Sequence, residues 1–392
     1  MAIIEQLKKE SYDIVGYPRL VRLNPNIPWK TRGNGAASMH VKNGKRNKIR
    51  SILEGVLNKY ARVDDENTNP GFVILDEQPS FNLYEKAVRE IVSLKEVEQL
   101  LDSIGAEYRG YKNGRGVIGA TASVAWSPKH DRTYELISYR EEKKWGTKRQ
   151  VDSQSVKKMD KTYGSTFDNY DYRNNHNRLV PNSPCPVLYG IRGENVEDLI
   201  KASSLVKSEK IDRSLIFETN QGTDDHLQRK NIGDIEPFQS VIVEGSLCKE
   251  PYTIEGGHVI FTIGDSKGEI DCAAYEPTKE FRKVVRELDV GDVVEAYGGV
   301  RGKPLTVNIE KINVKHLERQ VEKVENPVCP KCSKHMKSKG KGQGYKCKTC
   351  GFKSEKPIMR EKRRRLVAGF YEVPVCARRH LSKPLKRMIC EP

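Results

Sequence analysis

Four cysteines carry the clearest chemistry in this sequence. Cys329-Pro-Lys-Cys332, an interval of fourteen residues, then Cys347-Lys-Thr-Cys350 make two CxxC knuckles, the spacing at which four thiolates close tetrahedrally on one Zn²⁺. Gly340, Gly342 and Gly344 let the intervening hairpin turn. Because the quartet closes the coordination sphere, the metal is structural and His335 beside it is a bystander. The other five cysteines, Cys185, Cys248, Cys272, Cys376 and Cys390, follow no pairing logic, which suits an intracellular metal-binding chain better than a disulfide framework.

Three further stretches have residue types suited to phosphate or nucleotide chemistry. In Tyr17 to Ala37 (YPRLVRLNPNIPWKTRGNGAA), Pro18, Pro25 and Pro28 forbid a helix, Arg19, Arg22, Lys30 and Arg32 offer anion donors, and Gly33-Asn34-Gly35 permits close backbone approach to a ligand. A merely basic strand and loop would read the same way. Asp64, Asp65 and Glu66 precede the turn Asn69-Pro70-Gly71, an oxygen-rich loop of the sort that holds Mg²⁺ beside a nucleotide or simply faces solvent. Gly110 to Gly116, with Lys112 and Arg115, is a second glycine-basic loop. A long polar insert from Lys143 to Pro184 contains Tyr163-Gly-Ser-Thr-Phe-Asp168-Asn-Tyr-Asp171, and its tyrosines and carboxylates point to function.

Charge placement narrows the partner. The chain has 69 Lys+Arg against 53 Asp+Glu; from Cys329 onward there are 19 basic and 4 acidic residues, leaving 50 against 49 before it. A basic block on a near-neutral body fits a phosphate-backbone partner, since Lys and Arg release condensed counterions on binding. Seven lysines and no acid lie between the first and last ribbon cysteines. Lys346, Lys348, Arg363, Arg364, Arg378 and Arg379 are the candidate RNA contacts, and Phe370 and Tyr371 add aromatics able to stack on unpaired bases. No apolar run reaches the about eighteen residues of a membrane span, and MAIIEQLKKE reads as an amphipathic helix already under way, so a cytoplasmic chain beginning in mid-domain is expected.

Periodicity then places elements around these residues. A mixed α and β unit reaches to about residue 127, with strands at Ile14 to Leu23, Phe72 to Leu75 and Val117 to Trp126 and helices near Ile49 to Tyr60, Val88 to Val92 and Val97 to Ile104. Thr133 to Tyr139, Val187 to Ile191, a helix at Val196 to Ile200 and Leu215 to Thr219 suggest a ferredoxin-like α+β unit over 128–235. Five strands between Ser240 and Leu317, with a helix at Phe281 to Leu288 between the third and fourth, have the order of an OB-fold β-barrel over 236–320, a common single-strand binder. The zinc ribbon and basic tail occupy 325–392.

Taken together, GYPRLVRLNPNIPWKTRGNGA, DDENTNPG, TFDNYD, PNSPCPVLYGIRGE, IEGGHVIFTI, CAAYEPTKEFR, the cysteine quartet and GFYEVP…ARRHLSKPL resemble the archaeal tRNA-isoleucine 2-agmatinylcytidine synthetases over nearly the whole chain. The resemblance implies four domains, kinase-like (1–127), ferredoxin-like, OB and zinc ribbon, and an ATP-dependent ligase. That enzyme attaches agmatine to C2 of the wobble cytidine of a CAU-anticodon isoleucine tRNA, making agmatidine, with no membrane and no obligate protein partner. It also implies an upstream strand and loop, GxDDTDS and a CTT-like turn with a phosphorylated threonine, and this chain starts downstream of both.

The chemistry stands apart from the name. An amine cannot displace the C2 oxygen of cytosine directly, so ATP must first make it a phosphate ester, which requires Mg²⁺, carboxylates to hold it and donors for the phosphates. Asp64, Asp65 and Glu66 are the expected metal ligands; Lys30, Arg32, Gly33, Asn34, Gly35, Arg115 and Gly116 the expected phosphate and ATP contacts. Agmatine needs acceptors, and Asp168 and Asp171 are assigned to it by charge. The alternative from another class is a non-catalytic single-stranded nucleic-acid-binding protein of OB plus zinc-ribbon type.

Overall fold

The computed structural model describes residues 1–30, 33–129 and 131–388. The opening helix α1 (Ala2–Lys9) buries Ile4 and Leu7. It leads into β1 (Asp13–Arg22), which pairs antiparallel with β2 (Gly35–Lys42) from Asp13↔Lys42 to Arg22↔Gly35. The proline-bearing loop between them is therefore the tip of a hairpin. Helix α2 (Arg46–Tyr60) follows, then a small ribbon of β3 (Gly71–Ile74) and β4 (Glu107–Gly110), with α3 (Phe81–Arg89) and α4 (Leu94–Ser103) between its strands.

The strand expected at Val117 to Trp126 is instead a helix, α5 (Gly116–Ala125). Its apolar residues are buried on almost every side, so no amphipathic period shows, and a short all-round apolar run reads equally as a core strand. Alanines and small residues decide for helix, because α5 packs closely against β2, β3 and α3. Gly116 starts it because a Cβ there would lie 2.4 Å from Asn69 O.

After α5 come β5 (Thr133–Arg140), α6 (Ser153–Thr162), β6 (Thr166–Phe167), the two-stranded β7 (Tyr170–Asp171) and β8 (His176–Asn177), β9 (Val187–Gly193), α7 (Val196–Leu205) and β10 (Ile211–Thr219). The long insert thus folds, with Asp152 capping α6 through bonds to the N–H groups of Gln154 and Ser155. One six-stranded sheet runs β2-β1-β10-β5-β9-β6. The expected boundary near residue 127 therefore falls inside a shared sheet: β1 joins β10 in parallel at Arg19↔Glu218 and Leu20↔Thr219. Past that pairing the two strands diverge, and a cavity of about 820 Å³ opens, lined in part by Ile14, Tyr17, Leu215 and Ile216.

The barrel follows expectation. Strand β11 (Leu227–Arg229) leads to β12 (Ser240–Thr253), β13 (Val259–Asp265), β14 (Gly268–Ala274), α8 (Phe281–Arg286), β15 (Val293–Arg301) and β16 (Thr306–His316). Pairing of β12 with β15 closes five strands around Val241, Val243, Phe261, Ile263, Val294 and Ile312, all fully buried. Gly298 permits the tight crossing, since a Cβ there would stand 2.2 Å from Asn308 O.

A two-stranded stem, β17 (Val321–Glu325) with β21 (Ile358–Glu361), carries the ribbon, whose strands are β18 (Lys337–Ser338), β19 (Tyr345–Lys346) and β20 (Lys353–Ser354). The residues after the ribbon are not a basic tail in solvent. Strand β22 (Gly369–Glu372) returns and pairs with β16 from Lys311↔Glu372 to Val314↔Gly369, and the chain continues through α9 (Leu385–Met388) against the central sheet. No helix among the described residues is long and apolar enough to cross a membrane.

Candidate catalytic cleft and metal centre

The ribbon gathers its four thiols as their spacing requires. Cys329 Sγ lies 3.3 Å from Cys350 Sγ, and Cys332 Sγ lies 3.3 Å from Cys347 Sγ. The four ligand atoms fall within 4.8 Å of one another without His335. Backbone N–H groups of Lys331 and Cys332 point at the Cys329 sulfur, and those of Thr349 and Cys350 at Cys347, the second-layer donors that a zinc thiolate site uses. The donor set and its compactness fit structural Zn²⁺. With a core of only Cys329, Met336, Tyr345 and Cys347, the ribbon depends on the metal to fold. Chelation should therefore unfold residues 326–366, read as loss of amide-exchange protection there, while the barrel core stays protected. Lys346, Lys348 and Arg363 are exposed on this part of the molecule.

Arg364 corrects the expectation of a free RNA contact. Its Nη2 binds Asp292 Oδ2 at 2.6 Å and Glu287 O at 2.8 Å, fixing the stem to the barrel. Arg378 and Arg379 are also not on the ribbon's surface. They lie in the returning C-terminal segment, at the junction of hairpin tip, central sheet and barrel.

That junction contains the site. Cross-strand neighbours Glu135 on β5 and Arg192 on β9 form an ion pair at 3.4 Å, and Gln221 Nε2 donates to the other Glu135 oxygen at 2.5 Å. Gly190 makes room for this carboxylate, since a Cβ would stand 2.8 Å from Glu135 Oε1. Arg192 Nη2 contacts His380 Nδ1 at 2.8 Å. Arg22 and Arg178 add two more guanidiniums within electrostatic reach of the His380 ring. Water reaches His380, and partly Arg22 and Arg178, yet protein surrounds each of them. Together they line a recess open to water, with His380 exposed at it.

Around His380 stand the guanidiniums of Arg22, Arg192 and Arg178; Glu135 pairs with Arg192, Asp168 and Asp171 lie within electrostatic reach of Arg178, and Asp168 is itself held by Arg378, which also binds Glu372 at 2.5 Å. Arg22 Nε is buried without a hydrogen-bond partner, whereas Arg192 Nε faces Glu135 and the Arg378 guanidinium is taken by Asp168 and Glu372. Buried donors without acceptors are costly, so such a group of cations is built for an anion. The Arg22 charge, with burial and the charges of Arg192 and Arg178, pulls the His380 pKa well below the usual 6.5. Because the unfolded chain protonates this histidine near 6.5 and the folded chain does not, its contribution is intact above that pH. It is lost as pH falls from there toward the folded value. His380→Gln should accordingly show a weaker loss of stability below pH 6.5 than the wild type in urea titrations.

Several sequence candidates meet here. A Cβ at Gly33 would stand 3.1 Å from Arg22 Nη1, and one at Gly35 3.0 Å from Val21 O, so the GNG loop lies directly on Arg22. Asn34 Nδ2 donates to Asn24 O at 3.1 Å and shapes the tip. Lys30 is within electrostatic range of Arg379, and burial and that neighbour lower its pKa. Arg32 lies outside the described residues. Asp168 and Asp171, the expected agmatine acceptors, flank the cleft, and each has a partner within the protein. Asp168 pairs with Arg378, and Asp171 accepts from the N–H groups of Cys376 (2.9 Å) and Asn174 (3.0 Å).

The remaining candidates lie beside the hairpin tip rather than in the cleft. Loop 64–71 crosses loop 110–116, with Tyr111 N donating to Pro70 O at 3.0 Å, and Arg115 stacks on Trp29 at 4.4 Å. Asp64, Asp65 and Glu66 are exposed. They are absent from the convergent groups among the described residues, which are the ribbon cysteines and Asp224–His226–Glu310. They do not make a preformed metal cage. Arg178, Arg192, Glu135, Gln221 and His380 do not stand out by their chemistry in the sequence; the signals are the basic pattern of RNNHNR, YGIRG and ARRH and the place of Arg192 and His380 within the family-like strings PNSPCPVLYGIRGE and ARRHLSKPL.

The sequence matches the TiaS TCKD domain over residues 1–53 and 46–113, the TiaS FLD domain over 114–226, an OB-fold nucleic acid binding domain over 239–315 and the TiaS C-terminal zinc ribbon domain over 326–366. It is 47% identical over 398 residues to the isoleucine-tRNA 2-agmatinylcytidine synthetase TiaS of Methanocaldococcus jannaschii, covering 98% of this chain and 93% of that one. Against the Archaeoglobus fulgidus enzyme the identity is 45%, covering 99% and 93%. Among solved structures, the complex of TiaS with its isoleucine tRNA and ATP superposes with a TM-score of 0.90 at 43% identity, covering 98% of this chain and 92% of that one. The complex of TiaS with the same tRNA, AMPCPP and agmatine gives 0.87 at 41%, covering 99% and 92%. With identity of this order along almost its whole length, the chain belongs to the isoleucine-tRNA 2-agmatinylcytidine synthetase (TiaS) family.

Proposed function

We propose that this protein attaches agmatine to C2 of the wobble cytidine in the CAU anticodon of isoleucine tRNA, using ATP, and that the cleft at Arg22, Arg178, Arg192 and His380 is where the phosphoryl group is held. The observation that carries the site is the gathering of the Arg22, Arg178 and Arg192 guanidiniums around His380, with the buried Arg22 Nε unpartnered. ATP phosphorylates the C2 oxygen; the agmatine amine then adds at C2, the C2–O bond breaks with phosphate leaving, and the nitrogen loses a proton. Fixed cations around phosphoryl oxygens stabilise the charge that grows on the departing phosphate. The same cations repel the agmatine guanidinium, so its acceptors must stand apart from them. Asn169 Oδ1 and Gln221 Oε1 are buried and unpartnered, and their amide nitrogens are engaged elsewhere. They are better placed to accept than Asp168 or Asp171.

Mg²⁺ is proposed to enter with ATP, held chiefly by its phosphates, since Asp64, Asp65 and Glu66 do not converge. The relatives' complexes with ATP and with isoleucine tRNA favour the enzyme over a purely binding protein, and such an enzyme works in the cytoplasm. Incubation with labelled agmatine, ATP and Mg²⁺ should label isoleucine tRNA bearing CAU and leave one bearing GAU unlabelled. Equal labelling of both, or none, would reject the assignment.

A further inference from the structure

Trp29 lies at the hairpin tip with 44% of its surface exposed, whereas Trp126 is fully buried and Trp145 donates its indole N–H to Arg140 O at 3.3 Å. A lone exposed indole is unremarked on most proteins; the way this one is held is not. The Arg115 guanidinium covers one ring face at 4.4 Å and is itself tied to Val92 O at 3.2 Å. Pro25 and Pro28 stiffen the loop. Asn24 Nδ2 donates to Glu90 O (3.2 Å) and Phe238 O (3.0 Å), and Asn26 Nδ2 to Gln239 O (2.8 Å) and Ser240 Oγ (2.8 Å). The exposed face is therefore presented by a loop fixed to both the N-terminal unit and the barrel, with its ordering cost already met.

Its surroundings suit RNA. Lys30 follows directly and, with Arg379 within electrostatic range, puts positive charge beside the indole. Gly33, which touches Arg22, is four residues away, so Trp29 lies within about 14 Å of the cleft by chain reach. A cytidine that enters the cleft must leave its stack, and the base next to it loses a neighbour. We propose that the open face of Trp29 stacks on an unpaired base of the tRNA anticodon loop, with Arg115 as backing and Lys30 as a phosphate contact. This rests on the proposed function, because it takes the anticodon loop as the substrate brought to the cleft. The adenine of ATP is the weaker occupant, since nucleotide bases sit in enclosed apolar pockets rather than on open loop tips.

Intrinsic fluorescence tests this on the full-length protein. An anticodon stem-loop should quench the part of the emission that Trp29→Phe removes, and ATP alone should not. Trp29→Ala should weaken stem-loop binding by about 5- to 150-fold, with Trp29→Phe retaining most of the affinity. Placing one abasic nucleotide at each loop position in turn should find one position that weakens wild-type binding by the same factor and Trp29→Ala no further. Unchanged binding by Trp29→Ala, no such position, or quenching by ATP alone would overturn the inference. If Trp29→Ala folds poorly, the abasic scan on the wild type decides. Stem-loop quenching by a protein that transfers no agmatine would support the inference while rejecting the enzymatic reading.

Discussion

Arg22→Ala is expected to lower agmatidine formation about 100- to 1,000-fold while leaving the fold as stable as the wild type. The loss follows from position: Arg22 lies under the GNG loop, its Nε lacks an acceptor, and it is the largest influence on the neutral His380. Removing one preorganised donor to a developing oxyanion typically costs this much in rate. Stability should not follow. Burial already disfavours the Arg22 charge, the loop end is held through Asn220 by backbone bonds at 2.7 and 2.8 Å, and Glu135 keeps Arg192 and Gln221. Urea denaturation beside a tRNA modification assay separates the two readouts. A stability loss that tracks the activity loss would make Arg22 structural.

Arg378→Ala should do the opposite, with stability failing first. Arg378 pairs with both Asp168 and Glu372, and the Arg378 and Asp168 side chains are 5% and 8% exposed. Removing a buried partner and leaving its carboxylates uncompensated costs about 3–5 kcal/mol, visible as a lowered urea midpoint. The same change loosens the segment that delivers His380 to the cleft, so activity falls with it. That segment is held elsewhere by Arg379 on Asn26 (2.8 Å), Lys383 N on Asp224 (2.6 Å), Leu385 N on Glu372 (2.9 Å) and Arg387 on Asp131 (2.7 Å) and Glu194 (2.5 Å). These bonds keep the segment in place, so the expected damage is a lowered urea midpoint with His380 held less firmly. If the carboxylates are the cause, replacing Asp168 by Leu together with Arg378→Leu should restore part of the stability.

What can be read in the sequence follows the physics of each part. Alternation along Val241–Leu247 is legible because an antiparallel barrel strand alternates faces, and the CxxC pairs because zinc geometry constrains short spacings. Helix α5 is hidden because burial on all sides erases its period. The C-terminal segment reads as a basic RNA-binding tail because charge composition does not reveal partners within the protein: Arg378 meets Asp168, Lys383 meets Asp131, and Arg387 meets Asp131 and Glu194, all far away in sequence. The same long-range assembly hides the cleft. Arg22 and the GNG loop stand out locally, but Arg178, Arg192 and His380 become a site only when the shared sheet and the returning segment bring them together. Asp168 and Asp171 attract attention by charge, and the structure shows those charges already satisfied.

The most direct test is nucleoside analysis of CAU-anticodon isoleucine tRNA after incubation with this protein, ATP, Mg²⁺ and agmatine, run in parallel with Arg22→Ala. The wild type should convert the wobble cytidine to the agmatine adduct, only when ATP is present, and Arg22→Ala should bind the tRNA and leave the cytidine almost untouched. A cytidine of unchanged mass with the wild type, or full conversion by Arg22→Ala, would contradict the account.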